Sequence, residues 1–180
     1  MSDDVHARAR RIRLLTLDVD GVLTDGRIYM DDTGREFKAW SALDGQGMKM
    51  LREAGLEVAW ITGSTAPAVR HRADQLGIAH VIMGAASKLA PWESLRASLG
   101  CEASACAHVG DDLPDVPLLA ACGLAVSVPH APESVRSFAH YVTRREGGAG
   151  AVREVVELLL AAQDRLRKAE AVHVGPPDGP

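Results

Sequence analysis

Acidic residues cluster in two short stretches of this chain. Asp18 and Asp20 flank Val19 and precede Gly21, and Asp111 and Asp112 follow Gly110 much later. Between them stand Thr62-Gly63 and Lys88. Both acidic pairs and Thr62 come directly after apolar runs, at residues 12–17, 58–61 and 105–109. A lone Asp in such a place is usually a turn former or a helix cap. Carboxylates after two of three polar-tipped runs ask for more, because unpaired they would repel one another and raise each other's pKa. A divalent cation removes that repulsion, and hard oxygen ligands suit Mg²⁺. Magnesium beside a carboxylate nucleophile suits phosphoryl transfer, where positioning and charge neutralisation supply most of the catalysis. The phosphoryl oxygens also need a hydroxyl, backbone N–H groups and a cation. Thr62, Gly63 and Lys88 offer these in turn.

Further apolar runs at 80–83 and 124–128, and a short one at 140–142, join the first three as predicted strands. Helical periodicity fills the gaps over residues 45–54, 66–76, 87–99, 113–121, 132–137 and 148–166. The alternation predicts an α/β fold: a doubly wound, Rossmann-like parallel sheet with helices on both faces. Strands that are apolar throughout agree with a sheet covered on both sides. In such sheets ligands bind beyond the carboxyl ends of the strands, where the acidic residues and Thr62 stand. Residues 26–41 interrupt the pattern and read as a β-hairpin around Asp31-Asp32-Thr33-Gly34. The hairpin holds Tyr29, Phe37 and Trp40. A free hairpin is marginal in water, so it must pack on its own domain or on another subunit. The expected organisation is a flexible, weakly helical N-terminus over 1–11, a single domain over 12–167, and a disordered tail over 168–180.

The 180 residues carry 24 acidic and 20 basic side chains, a formal charge of −4. Beyond a short basic stretch at 8–13 there is no cationic face, which argues against a nucleic-acid partner. Three cysteines, Cys101, Cys106 and Cys122, lack metal-type spacing and read as buried thiols. No run approaches the ~18 apolar residues of a membrane span, and residues 2–6 lack the basic-then-apolar order of a signal peptide. The expectation is a cytoplasmic protein with no membrane partner.

Asp18-Val19-Asp20-Gly21-Val22-Leu23-Thr24-Asp25-Gly26, then Thr62-Gly63, Lys88 and Gly110-Asp111-Asp112, resembles in content and order the haloacid dehalogenase superfamily of phosphatases. The hairpin, Asp44-Gly45-x-Gly47 and Gly147-Gly148-x-Gly150-Ala151-Val152-Arg153-Glu154 are similar to its small-cap branch, which acts on 3-deoxy-D-manno-octulosonate 8-phosphate. The likeness runs from about residue 12 to 162. It implies Mg²⁺-dependent phosphomonoester hydrolysis through an aspartyl-phosphate, in lipopolysaccharide sugar biosynthesis. By that resemblance Asp18 is the nucleophile and Asp20 the general acid and then base. The Asp18 and Asp111 side chains and the Asp20 carbonyl would hold Mg²⁺. Thr62, Gly63 and Lys88 would bind phosphate, and Asp112 would orient rather than ligate. Sugar contacts would fall at Asp20, Ser41, Ala42, Leu43, Asp44, Gly45, Lys49, Arg72 and Lys88.

Two departures from the family pattern bear on the substrate. Ser64 stands where an arginine usually follows Thr-Gly, and Leu43 stands where a polar or basic residue usually precedes Asp-Gly. A guanidinium is the natural bidentate partner of a sugar carboxylate, and Arg72 or Arg153 would have to compensate. An N-acylneuraminate or deaminoneuraminate 9-phosphate is therefore the alternative substrate. Neither the Asp18–Thr62 interval nor the Thr62–Lys88 interval has room for a lid domain, which leaves the site open to water. Closure by a neighbouring copy predicts a homo-oligomer, and the resemblance implies a homotetramer. A phosphoacceptor receiver domain, the distant alternative, uses similar residues with the acidic pair first. Glu154, Glu157 and Arg165 read as a solvated helix face.

Overall fold

Leu14–Leu17 forms the central strand β1, with every residue buried. Two short strands follow, β2 (Tyr29–Met30) and β3 (Glu36–Phe37), which pair only with each other. β1 pairs in parallel with β4 (Glu57–Ile61), and β4 with β5 (His80–Ile82). On its other side β1 pairs with β6 (Cys106–Gly110), followed by β7 (Leu124–Ser127) and β8 (Tyr141–Val142). All six strands are parallel, in the order β5-β4-β1-β6-β7-β8. The chain thus builds outward from β1 in one direction, then returns to build in the other. The carboxyl ends of β1 and β6 flank that switch point, where open sheets place their ligands. The computed structural model describes residues 3–174.

Side-chain alternation along the strands feeds two cores. Leu15, Leu17, Val58, Trp60 and Val109 face one side, with Met48 and Leu51 of α2 (Ala42–Glu53), Val69 of α3 (Pro67–Leu76) and Val155 and Leu159 of α7 (Ala151–Ala162). Leu14, Ala59, Ile61 and Cys106 face the other, against Trp92 of α4 (Leu89–Ser98), Leu118 of α5 (Val116–Ala121) and Val135 of α6 (Glu133–Arg136). All three cysteines are free and buried in this second core. Burial pushes the Cys106 thiol up to about 11 and that of Cys122 to about 12, the inert behaviour of packed sulfur.

The hairpin forms as expected, though its strands are brief. Tyr29 opposes Phe37 with their rings stacked at 5.6 Å. Asp31 closes the turn by accepting the Thr33 and Arg35 amides at 2.9 Å. Two contacts fasten the hairpin to the domain: the Tyr29 hydroxyl donates to Asp25 at 2.7 Å, and Trp40 stacks on the buried Trp60 at 5.7 Å.

Both chain ends depart from expectation. Residues 1–11, expected to be flexible and weakly helical, form helix α1 over Asp3–Ala9, and the difference is that it is packed down, with Val5 and Ala9 buried. The helix spacing of Val5 and Ala9 makes one apolar stripe, and Gln163 Nε2 ties its end by donating to the Ala9 and Ile12 carbonyls. At the other end the single helix expected over 148–166 stops at Ala162. Asp164 adopts a left-handed φ of 57°, and the Arg165 amide reaches back to Leu160 at 2.8 Å. This is a helix-ending turn that Asp tolerates better than most residues. The stretch from 168, expected to be disordered, is helical within α8 (Leu166–Val174), which buries Ala169 and ties Arg165 to the Ala54 carbonyl at 2.9 Å. Residues 175–180 of that expected tail lie outside the described residues.

Candidate active site

The register of β1 on β6 sets the site. Leu17 pairs with Val109, and the Asp18 amide donates to the Val109 carbonyl at 3.1 Å. Asp18 and Asp111 therefore leave adjacent strands side by side. Gly21 turns the chain away with φ 91°, and a side chain there would collide with the Asp111 carboxylate. Gly147 lies so close to the Gly21 carbonyl that it has no room for a Cβ, and the Gly148 amide donates to Val22 at 3.0 Å. The segment before α7 thus braces the loop from Asp18 to Asp25.

Thr62 directly follows β4 and is buried. Its hydroxyl oxygen accepts the Ser64 amide at 3.0 Å, leaving the hydroxyl proton free to donate to an anion. Lys88, just ahead of α4, is buried with Nζ at 2.7 Å from both Asp18 Oδ1 and Asp115 Oδ1. These residues line an open cleft of ≈ 330 Å³ with Asp20, Gly26, Gly63, Ser64, Ala85, Ala86, Asp111, Asp112 and Pro114.

Asp115 organises the acidic end of the cleft. Its Oδ1 meets Lys88 Nζ at 2.7 Å and His108 Nε2 at 3.0 Å. Its Oδ2 accepts the Asp111 and Asp112 amides at 3.2 and 3.4 Å. Burial opposes its ionisation, but hydrogen bonds and charge from His108 and Lys88 outweigh it and bring Asp115 down to about 2. Asp18 moves the other way: burial and the Asp115 charge push it up to about 7 against the pull of Lys88. Burial, then Asp115, does the same to Asp111, also to about 7.

The donor set fits a hard divalent cation. Asp18, Asp111 and Asp115 each bring one oxygen within 4.8 Å of the others. The four acceptor sites of Asp115 are already taken by Lys88, His108 and two amides. Asp111 Oδ1, in contrast, is buried with no hydrogen-bond partner, and a buried polar atom left so is costly unless something binds it. Asp18 and Asp111 are thus the side chains suited to the ion.

Of the expected sugar residues, Asp20 and Lys88 line the cleft, whereas Ser41, Ala42, Leu43, Asp44, Gly45, Lys49 and Arg72 do not. Ser41 caps α2 by accepting the Asp44 amide at 3.3 Å, and Ala42, Leu43 and Lys49 are exposed on that helix. Asp44, expected at the sugar, is buried, and its carboxylate caps α7 instead. It accepts the Gly150 and Arg153 amides at 3.2 and 2.7 Å, because a helix N-terminus offers free amides and a positive dipole end. Gly45 is buried beneath Arg72, whose Nη2 would lie 2.8 Å from a Cβ there. Arg72 Nη1 donates to Gln75 at 3.2 Å, and Arg153 Nε to Glu157 at 2.7 Å. Glu154, expected on a solvated face, is buried and accepts the Tyr141 hydroxyl at 2.6 Å and the Arg144 and Arg145 amides.

Three polar residues escaped the sequence reading. Asp115 had a faint signal, since Asp112-Leu113-Pro114-Asp115 has the spacing of a capping box and forms one. His108 was hidden inside an apolar strand, where its Nδ1 lies 2.9 Å from the Thr16 hydroxyl. Lys38 sat among the aromatics of the hairpin, and its Nζ lies 2.5 Å from Asp20 Oδ1.

Comparison with known proteins gives the same answer. The family model for haloacid dehalogenase-like hydrolases matches residues 36–123. The 3-deoxy-D-manno-octulosonate 8-phosphate phosphatase KdsC of Yersinia pestis is 46% identical over 174 residues, 97% of this chain and 93% of that one. Its namesake from Escherichia coli K12 is 46% identical over 170 residues, covering 94% and 90%. The crystal structure of the Moraxella catarrhalis phosphatase of that name, in complex with magnesium, phosphate and KDO, superposes with a TM-score of 0.93. It is 40% identical, with 96% of this chain and 99% of that one covered. On sequence and fold alike, the chain belongs to the haloacid dehalogenase-like hydrolases.

Proposed function

We propose that this protein hydrolyses 3-deoxy-D-manno-octulosonate 8-phosphate to the free acid sugar and phosphate. The observation that carries the reading is the meeting of Asp18, Asp111, Thr62 and Lys88 at one strand-end cleft, in a chain 46% identical to phosphatases of that name. Asp18 attacks phosphorus as the bond to the sugar oxygen breaks, and Asp20 gives the leaving oxygen its proton. Water then attacks the aspartyl-phosphate, and Asp20 takes the proton as the bond to Asp18 breaks. The Thr62 hydroxyl, the Gly63 backbone and Lys88 hold the phosphoryl oxygens throughout. Asp18, Asp111 and the Asp20 carbonyl would hold Mg²⁺, which would supply charge neutralisation at the phosphate.

A second reading has one observation in its favour. Ser64 lines the cleft where the family usually has arginine, and its hydroxyl is engaged by the Ala66 amide at 3.2 Å, so no cation faces the sugar from that position. Without that cation this position does not select the eight-carbon acid sugar, which leaves an N-acylneuraminate or deaminoneuraminate 9-phosphate as the second reading. We also infer a homotetramer, in which neighbouring copies cover the open cleft, and a cytoplasmic location. Among the described residues no helix is long and apolar enough to cross a membrane.

A panel of sugar phosphates assayed with Mg²⁺ and with EDTA tests the reading. The eight-carbon acid sugar phosphate should be hydrolysed fastest, and EDTA should abolish turnover. Equal rates across the panel reject the acid-sugar assignment, and preference for a nine-carbon member selects the second reading.

A further inference from the structure

Much of the inserted hairpin faces solvent, with Ile28 77% and Phe37 52% exposed. Lys38, directly after β3, does not follow its neighbours. Its side chain is only 5% exposed, and Nζ reaches Asp20 Oδ1 at 2.5 Å and Glu36 Oε1 at 2.6 Å. A lysine ammonium is strongly hydrated and normally snorkels outward, so its inward placement needs a reason. The Asp20 side chain supplies one. It is 41% exposed, and among the described residues Lys38 is the only hydrogen-bond partner of its carboxylate. Without Lys38 this side chain would rotate freely at the mouth of the cleft. The hairpin that delivers Lys38 is itself tied down, by Trp40 on Trp60 and by Tyr29 on Asp25. The ammonium is therefore placed from the core, not from a loose arm.

We propose that Lys38 is the positioning residue of the acid–base Asp20, holding one carboxylate oxygen so that the other is presented to the leaving group and then to water. The inference rests on the reading of Asp20 given above. Lys38 neither forms nor breaks a bond. As the Asp18–phosphorus bond forms and the phosphorus–sugar oxygen bond breaks, the proton passes from Asp20 Oδ2 to the sugar oxygen. In the second half, Oδ2 takes a proton from the attacking water. A carboxylate held within a narrow range of angles performs both transfers from one place.

Leaving-group chemistry tests this. A sugar alkoxide needs a proton to leave, whereas p-nitrophenolate leaves without one. Lys38→Met should lower kcat/KM for 3-deoxy-D-manno-octulosonate 8-phosphate by about 10- to 100-fold, within the range general acid catalysis supplies. For p-nitrophenyl phosphate, kcat/KM reports only the steps through departure of p-nitrophenolate. In the same variant it should stay within about threefold of the parent, which also shows that fold and nucleophile survive. The kcat should fall with both substrates, because hydrolysis of the common aspartyl-phosphate needs Asp20 as base. Lys38→Arg should recover most of the loss, and inhibition by the free acid sugar should be unchanged in both variants. Asp20→Asn serves as reference and should discriminate between the two substrates more strongly still. If Asp20→Asn discriminates and Lys38→Met lowers kcat/KM for both substrates equally, or for neither, the role of Lys38 is overturned while that of Asp20 stands. Weaker inhibition by the free sugar that matches the loss would make Lys38 a sugar contact and also overturn it. If Asp20→Asn itself fails to discriminate, the acid–base reading falls and takes this one with it.

Discussion

Asp18 and Asp111 share more negative charge than their burial accommodates, and the imbalance has a measurable pH signature. Both are pushed to about 7 in the fold, against an ordinary carboxylate value of 3.8. Between those values the folded chain binds more protons than the unfolded one, so these groups make the metal-free protein less stable as pH rises from about 4 to 7. Asp115, brought down to about 2, has the opposite sign: its contribution is present above 3.8 and is lost as pH falls toward 2. With EDTA, the melting temperature should therefore decline between pH 5 and 7.5. Excess Mg²⁺ should offset the decline, and its stabilisation should grow with pH, because it binds the ionised pair. Asp18→Asn, which cannot ionise, should flatten the metal-free slope. Thermal unfolding across that range checks this, and a magnesium shift independent of pH would refute it. Asp18, Asp20 and Asp111 were legible in the sequence because each follows an apolar run. Asp115 was not, since its role comes from meeting Lys88 and His108, a contact made only when β6 and the start of α4 converge.

The junction of α2 with α7 shows what helix ends do for the site. Ser41 and Asp44 lie together in sequence, yet one caps its own helix and the other caps the far one. Removing the Asp44 carboxylate leaves two buried amides without acceptors. Asp44→Ala should cost about 2 kcal/mol, a drop of roughly 4–8 °C in melting temperature for a chain of this size. The KM for the acid sugar phosphate should hardly change. A sugar contact would give the reverse, a raised KM at unchanged melting temperature, so calorimetry and steady-state kinetics separate the two. Existence and order of the helices from α2 to α7 were readable from periodicity. The break at Asp164 was not, because the apolar spacing runs on through a left-handed turn made without glycine. The burial of Val5 and Ala9 also escaped notice, being a two-residue stripe in a polar stretch.

At the scale of the molecule, the doubly wound sheet was legible because its strands are apolar on both faces and alternate with helices. The meeting of Asp18, Thr62, Lys88 and Asp111 at one strand-end cleft was legible for the same reason. The placement of Ser41 and Asp44 was not, since they cap helices, nor was that of Ala42, Leu43 and Lys49, which lie on the surface of the single chain. In the proposed homotetramer a neighbouring copy would cover the open cleft, and the hairpin offers exposed Ile28, Met30 and Phe37 for the contact. Replacing Ile28 and Phe37 by Glu should take the solution mass from four times 19.1 kDa toward 19.1 kDa, read by light scattering. An unchanged mass would clear the hairpin of that role. The bracing of the Asp18–Asp25 loop by Gly147 and Gly148, and of Asp44 by Gly150 and Arg153, also bears on how the protein is made. A nascent chain leaving the ribosome exposes Asp18, the proposed nucleophile, early and the brace late. Through most of translation it carries an aspartate loop without its brace and a carboxylate with no helix to cap, and both gain their partners only as α7 emerges.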